Sequence, residues 1–266
     1  MKLPELTVVM TVNNRSYDVL NSVFDSLRAQ PYANLIVVAD GIEPESDEAL
    51  RSLLPTMPRA TRIDLARPRG WLCPAKAWNL GLERIDTELS MMISSDTIQG
   101  KSNITTARTI LSNSQGVVFG AARCSIDGCP EVTWNDGTAS HVLCDAAHPR
   151  PLGFVVVMPT WAIRACQGFD EGFMAGHWYD DDDLFFRIWA TGLNFAFVDD
   201  ISGVHIHHER AELSPLAIEK NKAYILSKYG VERPLEMEMN RGGMAIESSA
   251  GKTLWRHRCQ RCSVAR

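Results

Sequence analysis

No stretch of the 266-residue chain approaches the ~20 consecutive apolar residues that a membrane-spanning helix needs. The opening MKLPELTVVM also lacks a hydrophobic core ending in a small-residue cleavage site, so the expectation is an unanchored, cytoplasmic protein. A basic excess is missing as well. Against 32 Asp and Glu stand 27 Lys and Arg, a net charge of -5, which disfavours a dedicated nucleic-acid or membrane-surface protein. The cysteines do not form a disulfide framework: they are seven in number, odd, and scattered (Cys73, Cys124, Cys129, Cys144, Cys166, Cys259, Cys262), which fits reduced thiols. Cys259 and Cys262 make a C-x-x-C without a second pair at zinc-site spacing. What remains is 45% hydrophobic and 22% charged, the composition of an ordinary globular chain long enough for one sizeable core or two halves sharing a cleft.

The order of elements is alternating. Leu6 to Thr11 reads as a buried strand, Ser16 to Gln30 as an amphipathic helix stopped by Pro31, and Asn34 to Asp40 as a second buried strand closed by Gly41. Such a β-α-β unit forms a parallel sheet, and its carboxyl-end loops, here Thr11 to Arg15 and Asp40, line one crevice. The pattern recurs. A helix (Asp47 to Leu54), a strand (Thr61 to Leu65), a basic loop (Arg67 to Gly70), a helix (Pro74 to Glu83) and a strand (Leu89 to Ile93) lead to Ser94-Ser95-Asp96; a helix (Ile104 to Leu111) and a strand (Gly116 to Ala121) follow. From Ala122 to Pro151 no periodicity survives. A strand (Leu152 to Met158), a short helix (Trp161 to Cys166), an acidic helix, two strands (Leu193 to Val198, Gly203 to His207) and a helix (Leu216 to Tyr229) complete the pattern, before a polar, increasingly basic tail. The division expected is one domain over 1–230, with halves at 1–100 and 151–230 joined by a connector at 101–150, and a tail at 231–266.

The most unusual stretch is QGFDEGFMAGHWYDDDDLFFRI, Gln167 to Ile188. Four successive aspartates repel one another, and one would suffice to cap a helix, so the excess asks for a positive partner, a metal or proton chemistry. At ~100° per residue Asp181 lies within about 20° of the middle of the apolar stripe Leu184, Phe185 and Ile188. It therefore points inward, partly desolvated at a helix start, as a general base would, with Asp180 on its flank. Asp182 and Asp183 fall away from the stripe and read as a solvated or structural cap. Elsewhere, Asp40 and Asp96 end strands, where either a turn or a ligand role fits. Arg67 and Arg69 could meet a diphosphate or water. His205, His207 and His208 offer imidazoles to a divalent metal.

In order, the strand-NNR, VVADG, RG with P-A-x-A-x-N-x-G, strand-SSD, GFDEGF, DDDDLFFR and His-cluster segments resemble the family 2 glycosyltransferases of the GT-A fold. The later segment also looks like the galactosyltransferase C-terminal domain. The resemblance, spanning roughly Leu6 to Gly230, implies an α/β Rossmann-like nucleotide-binding half with a mixed, mainly parallel sheet flanked by helices. It implies transfer of a sugar, with inversion, from a nucleotide-diphosphate donor to a glycan or other hydroxyl acceptor. The donor would lie against Thr11, Asn13, Arg15, Asp40, Arg69, Asn79 and Ser95. Mn²⁺ or Mg²⁺ would be held by Asp96 and His205, Asp96 being the last acid of a D-x-D motif whose first position is Ser94. The base falls on Asp181, and Trp178 and Tyr179 would offer flat surfaces to a sugar ring. Two other readings compete: a GT-A-like module that binds nucleotide or glycan without catalysis, motivated by Ser94 and Ala39 in place of acids, and a transferase acting on nucleic acid, motivated by the basic tail.

Overall fold

A computed structural model of the chain describes residues 2–125, 139–147, 149–206 and 214–240. Among the described residues nine strands form one sheet: β1 (Leu6–Val12), β2 (Asn34–Asp40), β3 (Ala60–Leu65), β4 (Leu89–Ser94), β5 (Thr97–Gln99), β6 (Gly116–Ser125), β7 (Ala139–Cys144), β8 (Val155–Pro159) and β9 (Asn194–His205). Their order is β3-β2-β1-β4-β8-β6-β9-β5, with β7 beside β6. The first four are parallel neighbours, β8 runs antiparallel between β4 and β6, and β6 and β9 are parallel. The α/β class and the mixed, mainly parallel sheet are as the sequence implies.

Strand alternation places helices on both faces, because successive side chains point oppositely. On β1, Leu6, Val8, Met10 and Val12 enter one core and Val9 the other; on β8, Val155 and Val157 oppose Val156 and Met158. The first core packs under α1 (Tyr17–Arg28), α2 (Pro44–Leu53) and, later in the chain, an eleven-residue helix at Asn103–Asn113. α1 starts where Ser16 accepts a hydrogen bond from the Val19 N–H. The second core holds α3 (Ala75–Leu82) and, after α4 (Asn103–Asn113), also α5 (Thr160–Ala165), α6 (Asp180–Ala190), α7 (Pro215–Tyr229) and α8 (Pro234–Asn240). Among the described residues no helix is long and apolar enough to cross a membrane.

Three expectations need correction. The aperiodic segment contains the end of β6 and all of β7, whose register shifts near Ala122 and Cys124 break the alternation that would reveal them. The two strands expected around Leu193 and Gly203 are one, β9, which bulges so that Gly120 pairs with Val198 and Ala121 with Ser202; the intervening Asp199 and Asp200 interrupt the apolar pattern. The start of the expected tail forms α8, which packs on α6 and buries Leu235 completely. His207, His208 and residues 241–266, with Cys259 and Cys262, lie outside the described residues.

Candidate active site

The carboxyl ends of β1, β2 and β4 meet, as parallel strands require. Thr11 pairs with Val38 on one side and Ser94 on the other. Beyond it, the Asn13 side chain donates to the Asp40 carbonyl at 2.7 Å. Asp40 is buried, and Arg67 takes one of its carboxylate oxygens at 2.6 Å. Burial pushes the Asp40 carboxyl up and Arg67 opposes it.

Asp96 follows β4 with only 1% of its surface exposed. Arg15 reaches its Oδ2 through Nη2 at 2.6 Å and Nε at 3.1 Å, while the Ser94 hydroxyl (2.5 Å) and His205 Nε2 (3.4 Å) face Oδ1. His205 is delivered by β9, whose end pairs with Thr97 of β5, and the Ile206 N–H donates to the Asp96 carbonyl at 2.7 Å. Ser95 is buried beside this pair.

No group of three or more His, Cys, Asp or Glu among the described residues is arranged to hold a metal ion. The Asp96 and His205 donor atoms are nevertheless close enough to share one ion. Mg²⁺-like ions commonly use one or two protein ligands and complete their shell with substrate phosphates and water. The pair thus fits an ion shared with a diphosphate.

The aspartates of α6 divide sharply. Leu184, Phe185 and Ile188 are fully buried, as the stripe requires. Asp181 accepts the Gly153 N–H at 3.2 Å on Oδ2. It keeps some contact with solvent yet is surrounded by protein, and burial, then the charge of Asp180, holds its carboxyl well above the usual carboxylate range. Asp180 is also raised by burial, against a hydrogen bond from the Cys73 thiol and the N–H groups of the helix start. Burial pushes Asp182 up to about 6, with Arg233 opposing.

Asp183 is not a solvated cap. It is 0% exposed and accepts from Lys228 Nζ, from the Tyr229 hydroxyl at 2.7 Å and from Arg187 Nε at 2.8 Å. A helical wheel with one buried face misplaces it because α7 covers the opposite face too. Lys228 also grips Asp170 at 2.6 Å and stands 5.4–5.5 Å from the ring centroids of Phe173, Tyr224 and Tyr229.

Before α6, both Trp178 (φ 65°) and Tyr179 (φ 67°) adopt the left-handed conformation, a strained choice for aromatic residues. Asn221 stabilises it by donating to the carbonyls of Phe173 and Trp178. Trp178 is 49% exposed, but Tyr179 is 5% exposed and its hydroxyl donates to Glu232. Core packing therefore withdraws the Tyr179 ring from the acceptor face expected for it.

Asn79 is also displaced from its expected place against the donor. Its amide oxygen accepts the Phe169 N–H at 2.7 Å, and its amide nitrogen donates to the Phe169 carbonyl and Glu171. The side chain is consumed in clamping the turn that precedes the acidic helix. Gly168 sits there with φ +71°, and a Cβ on it would lie 2.3 Å from Asn79 Oδ1. Gly168→Ala should lower stability by about 1–3 kcal/mol, read as an earlier urea midpoint; an unchanged midpoint would show that the clamp yields. Arg69 is exposed, and among the described residues none pairs with it.

Sequence reasoning passed over Gly153 and Phe154. Gly153 binds Asp181, while the Phe154 ring meets His205 edge to face with centroids 5.1 Å apart, and the Phe154 carbonyl accepts the Ser94 N–H at 3.4 Å. These two adjacent residues join the acidic helix to the Asp96–His205 pair. The apolar run places both inside the strand expected over Leu152 to Met158, but the strand, β8, begins at Val155 and leaves them in the turn before it. Cys73 and His177 were missed too; Arg67 and Asp180 both bear on the His177 imidazole, which burial lowers below its ordinary value.

No protein-family model matches the chain, and no curated protein sequence matches it. Solved structures do. A mannosyltransferase of Pyrobaculum calidifontis, PcManGT, in complex with GDP-Man and Mn²⁺ superposes with TM-score 0.59 at 15% identity, over 79% of this chain and 59% of that one. Residues 1–349 of S. aureus TarS in complex with UDP-GlcNAc superpose with TM-score 0.58 at 12% identity, over 79% and 61%. The chain has the GT-A fold. It spans about three-fifths of the length of either neighbour. At these identities the likeness fixes architecture and leaves chemistry to the side chains.

Proposed function

We propose that this GT-A chain is an inverting, family 2-like glycosyltransferase that moves a sugar from a nucleotide-diphosphate donor to a hydroxyl acceptor. The observation that carries the reading is the Gly153-Phe154 bridge: one end holds a raised carboxylate, the other a buried Asp–His pair. A proton acceptor and an anion-neutralising centre thus stand within a few residues' reach, as displacement at an anomeric carbon requires. That the structurally similar PcManGT and TarS are in complex with GDP-Man and UDP-GlcNAc supports a nucleotide-sugar donor here.

Asp181 takes the proton of the acceptor hydroxyl as its oxygen attacks the anomeric carbon from the face opposite the diphosphate. The bond from that carbon to the diphosphate oxygen breaks, and the nucleoside diphosphate leaves with the electron pair. Asp180, held by the Cys73 thiol, keeps negative charge beside Asp181 and so strengthens it as a base. Thr11, Asn13, Arg15, Asp40 and Ser95 border the donor, with Arg69 available to its phosphates. Trp178 offers its exposed ring to the acceptor. Asp96 and His205 would hold a Mn²⁺ or Mg²⁺ ion, which when bound would neutralise charge on the leaving diphosphate. The functional unit is read as 1–230 extended by α8. Cys73, Cys144 and Cys166 stand as reduced thiols, which suits a reducing, cytoplasmic setting.

A thermal-shift panel of UDP- and GDP-sugars, each with and without Mn²⁺, tests the reading. A donor at about 100 times its Kd should add about 2.7 kcal/mol to stability, with a larger shift when Mn²⁺ is present. A panel in which no nucleotide sugar moves the melting temperature would overturn it, and binding without turnover would select the non-catalytic module instead.

A further inference from the structure

We propose that Arg15 guards the Asp96 carboxylate, so that a divalent cation gains it only after a nucleoside diphosphate has drawn the guanidinium away. This rests on the donor-site reading and adds an order of binding to it.

Arg15 is built to hold Asp96. Two of its nitrogens converge on the single oxygen Oδ2, at 2.6 and 3.1 Å. Its backbone is pinned from both sides by the buried Ser46 hydroxyl, which accepts from the Arg15 N–H and donates to the Arg15 carbonyl, each at 2.9 Å. Only the side chain is left to move. That side chain retains 24% of its exposure against 2% for Asp96, and its third nitrogen, Nη1, is held by the carbonyl of exposed Asn14. One edge of the guanidinium therefore grips a desolvated anion while the other is within reach of a solute.

A carboxylate taken out of water binds whichever cation reaches it, and two cations on one such carboxylate repel at close range. An incoming M²⁺ must displace Arg15, and displacement without a new partner leaves the guanidinium with nothing to replace the lost pair. A diphosphate supplies that partner, because its adjacent oxygens match the planar fork of guanidinium donors. The exchange conserves charge: Arg15 passes from Asp96 to phosphate, and the freed Oδ2, beside Oδ1 and His205 Nε2, becomes available to the ion. Ser94 reinforces the arrangement. With a hydroxyl where a first acid would stand, Asp96 is the carboxylate for which both cations compete.

The test is Mn²⁺ binding followed by the electron paramagnetic resonance signal of the free ion, with and without UDP or GDP, in wild type, Arg15→Gln, Arg15→Lys and Arg15→Gln/Asp96→Asn. Wild type should bind Mn²⁺ poorly alone. Arg15→Gln should bind it about tenfold more tightly without nucleotide, corresponding to relief of one competing charge, and should gain less from added nucleotide than wild type does. Arg15→Lys, which keeps charge but loses the two-nitrogen grip, should fall between, and the Asp96→Asn addition should cancel the gain. Folded Arg15→Gln with wild-type Mn²⁺ affinity overturns the guard. Should that variant fail to fold, wild type alone decides: Mn²⁺ raising its melting temperature as much without nucleotide as with it overturns the order of binding. If nucleotide binds and Mn²⁺ ignores Arg15, the guard falls and the donor site stands; if neither nucleotide nor Mn²⁺ binds any variant, both fall.

Discussion

Asp181→Asn should keep nucleotide-sugar binding and lower the transfer rate by about 10²–10⁴-fold, the range expected when a general base is lost. The amide oxygen of Asn can still accept the Gly153 N–H, so the helix start should not move. A donor-consumption assay paired with donor titration measures both. Wild-type turnover in this variant would remove Asp181 from the chemistry. The pH dependence carries a second signature. Burial first, then Asp180, raises the Asp181 carboxyl, so the base ionises at higher pH than an ordinary aspartate and transfer should fall early on acidification. The same shift acts on stability with a definite sign. A group raised in the native state stabilises below its unfolded value and loses that contribution as pH rises through the folded one. As the pH climbs above the ordinary carboxylate range the wild type gives up that contribution, and the neutral amide has nothing to lose. The inactive variant should therefore melt above the wild type near pH 7, with the gap closing toward about pH 4.

Lys228→Met should have the largest effect on folding. The methionine can fill much of the space among Phe173, Tyr224 and Tyr229, but it leaves fully buried Asp183 with Arg187 and Tyr229 alone and removes the grip on Asp170. Breaking a buried pair from one side costs about 3–5 kcal/mol, and the partial exposure of Lys228 places this case near the lower figure. For a chain of this size the melting temperature should drop by on the order of 6–12 °C. Because Asp183 lies two residues from Asp181, transfer measured well below the melting point should also weaken. An unchanged melting temperature would show that Arg187 and Tyr229 suffice.

The repeating β-α-β units were legible because their strands carry continuous apolar runs; Asn34–Asp40 has in the structure the bounds its sequence suggests. The inward turn of the Asp181 side chain was legible because Leu184, Phe185 and Ile188 define a single stripe. Asp183 was not, since the second burying layer comes from α7, some forty residues later, and no local period records it. Asn79 shows a different limit: a motif position transfers a residue, whereas hydrogen-bond capacity decides its use, and the turn at Phe169 consumes that capacity. Gly153 and Phe154 read as the start of a strand, whereas β8 begins only at Val155. Their part is defined only by what β4, α6 and β9 bring to them.

The pairing of β9 with β6 and β5 has a temporal consequence. A ribosome makes the chain from its first residue, and β1 to β4 can pair as soon as they emerge, since their contacts are comparatively local. Asp96 then waits more than a hundred residues for His205, and the whole Gly153 bridge precedes the helix it holds. A nascent chain therefore acquires the β1–β4 side of its crevice early, and the acidic face late. During that interval the edge of β6 that β9 will cover is unpaired, so the slowest and most aggregation-exposed stage of synthesis should be the one just before β9 docks.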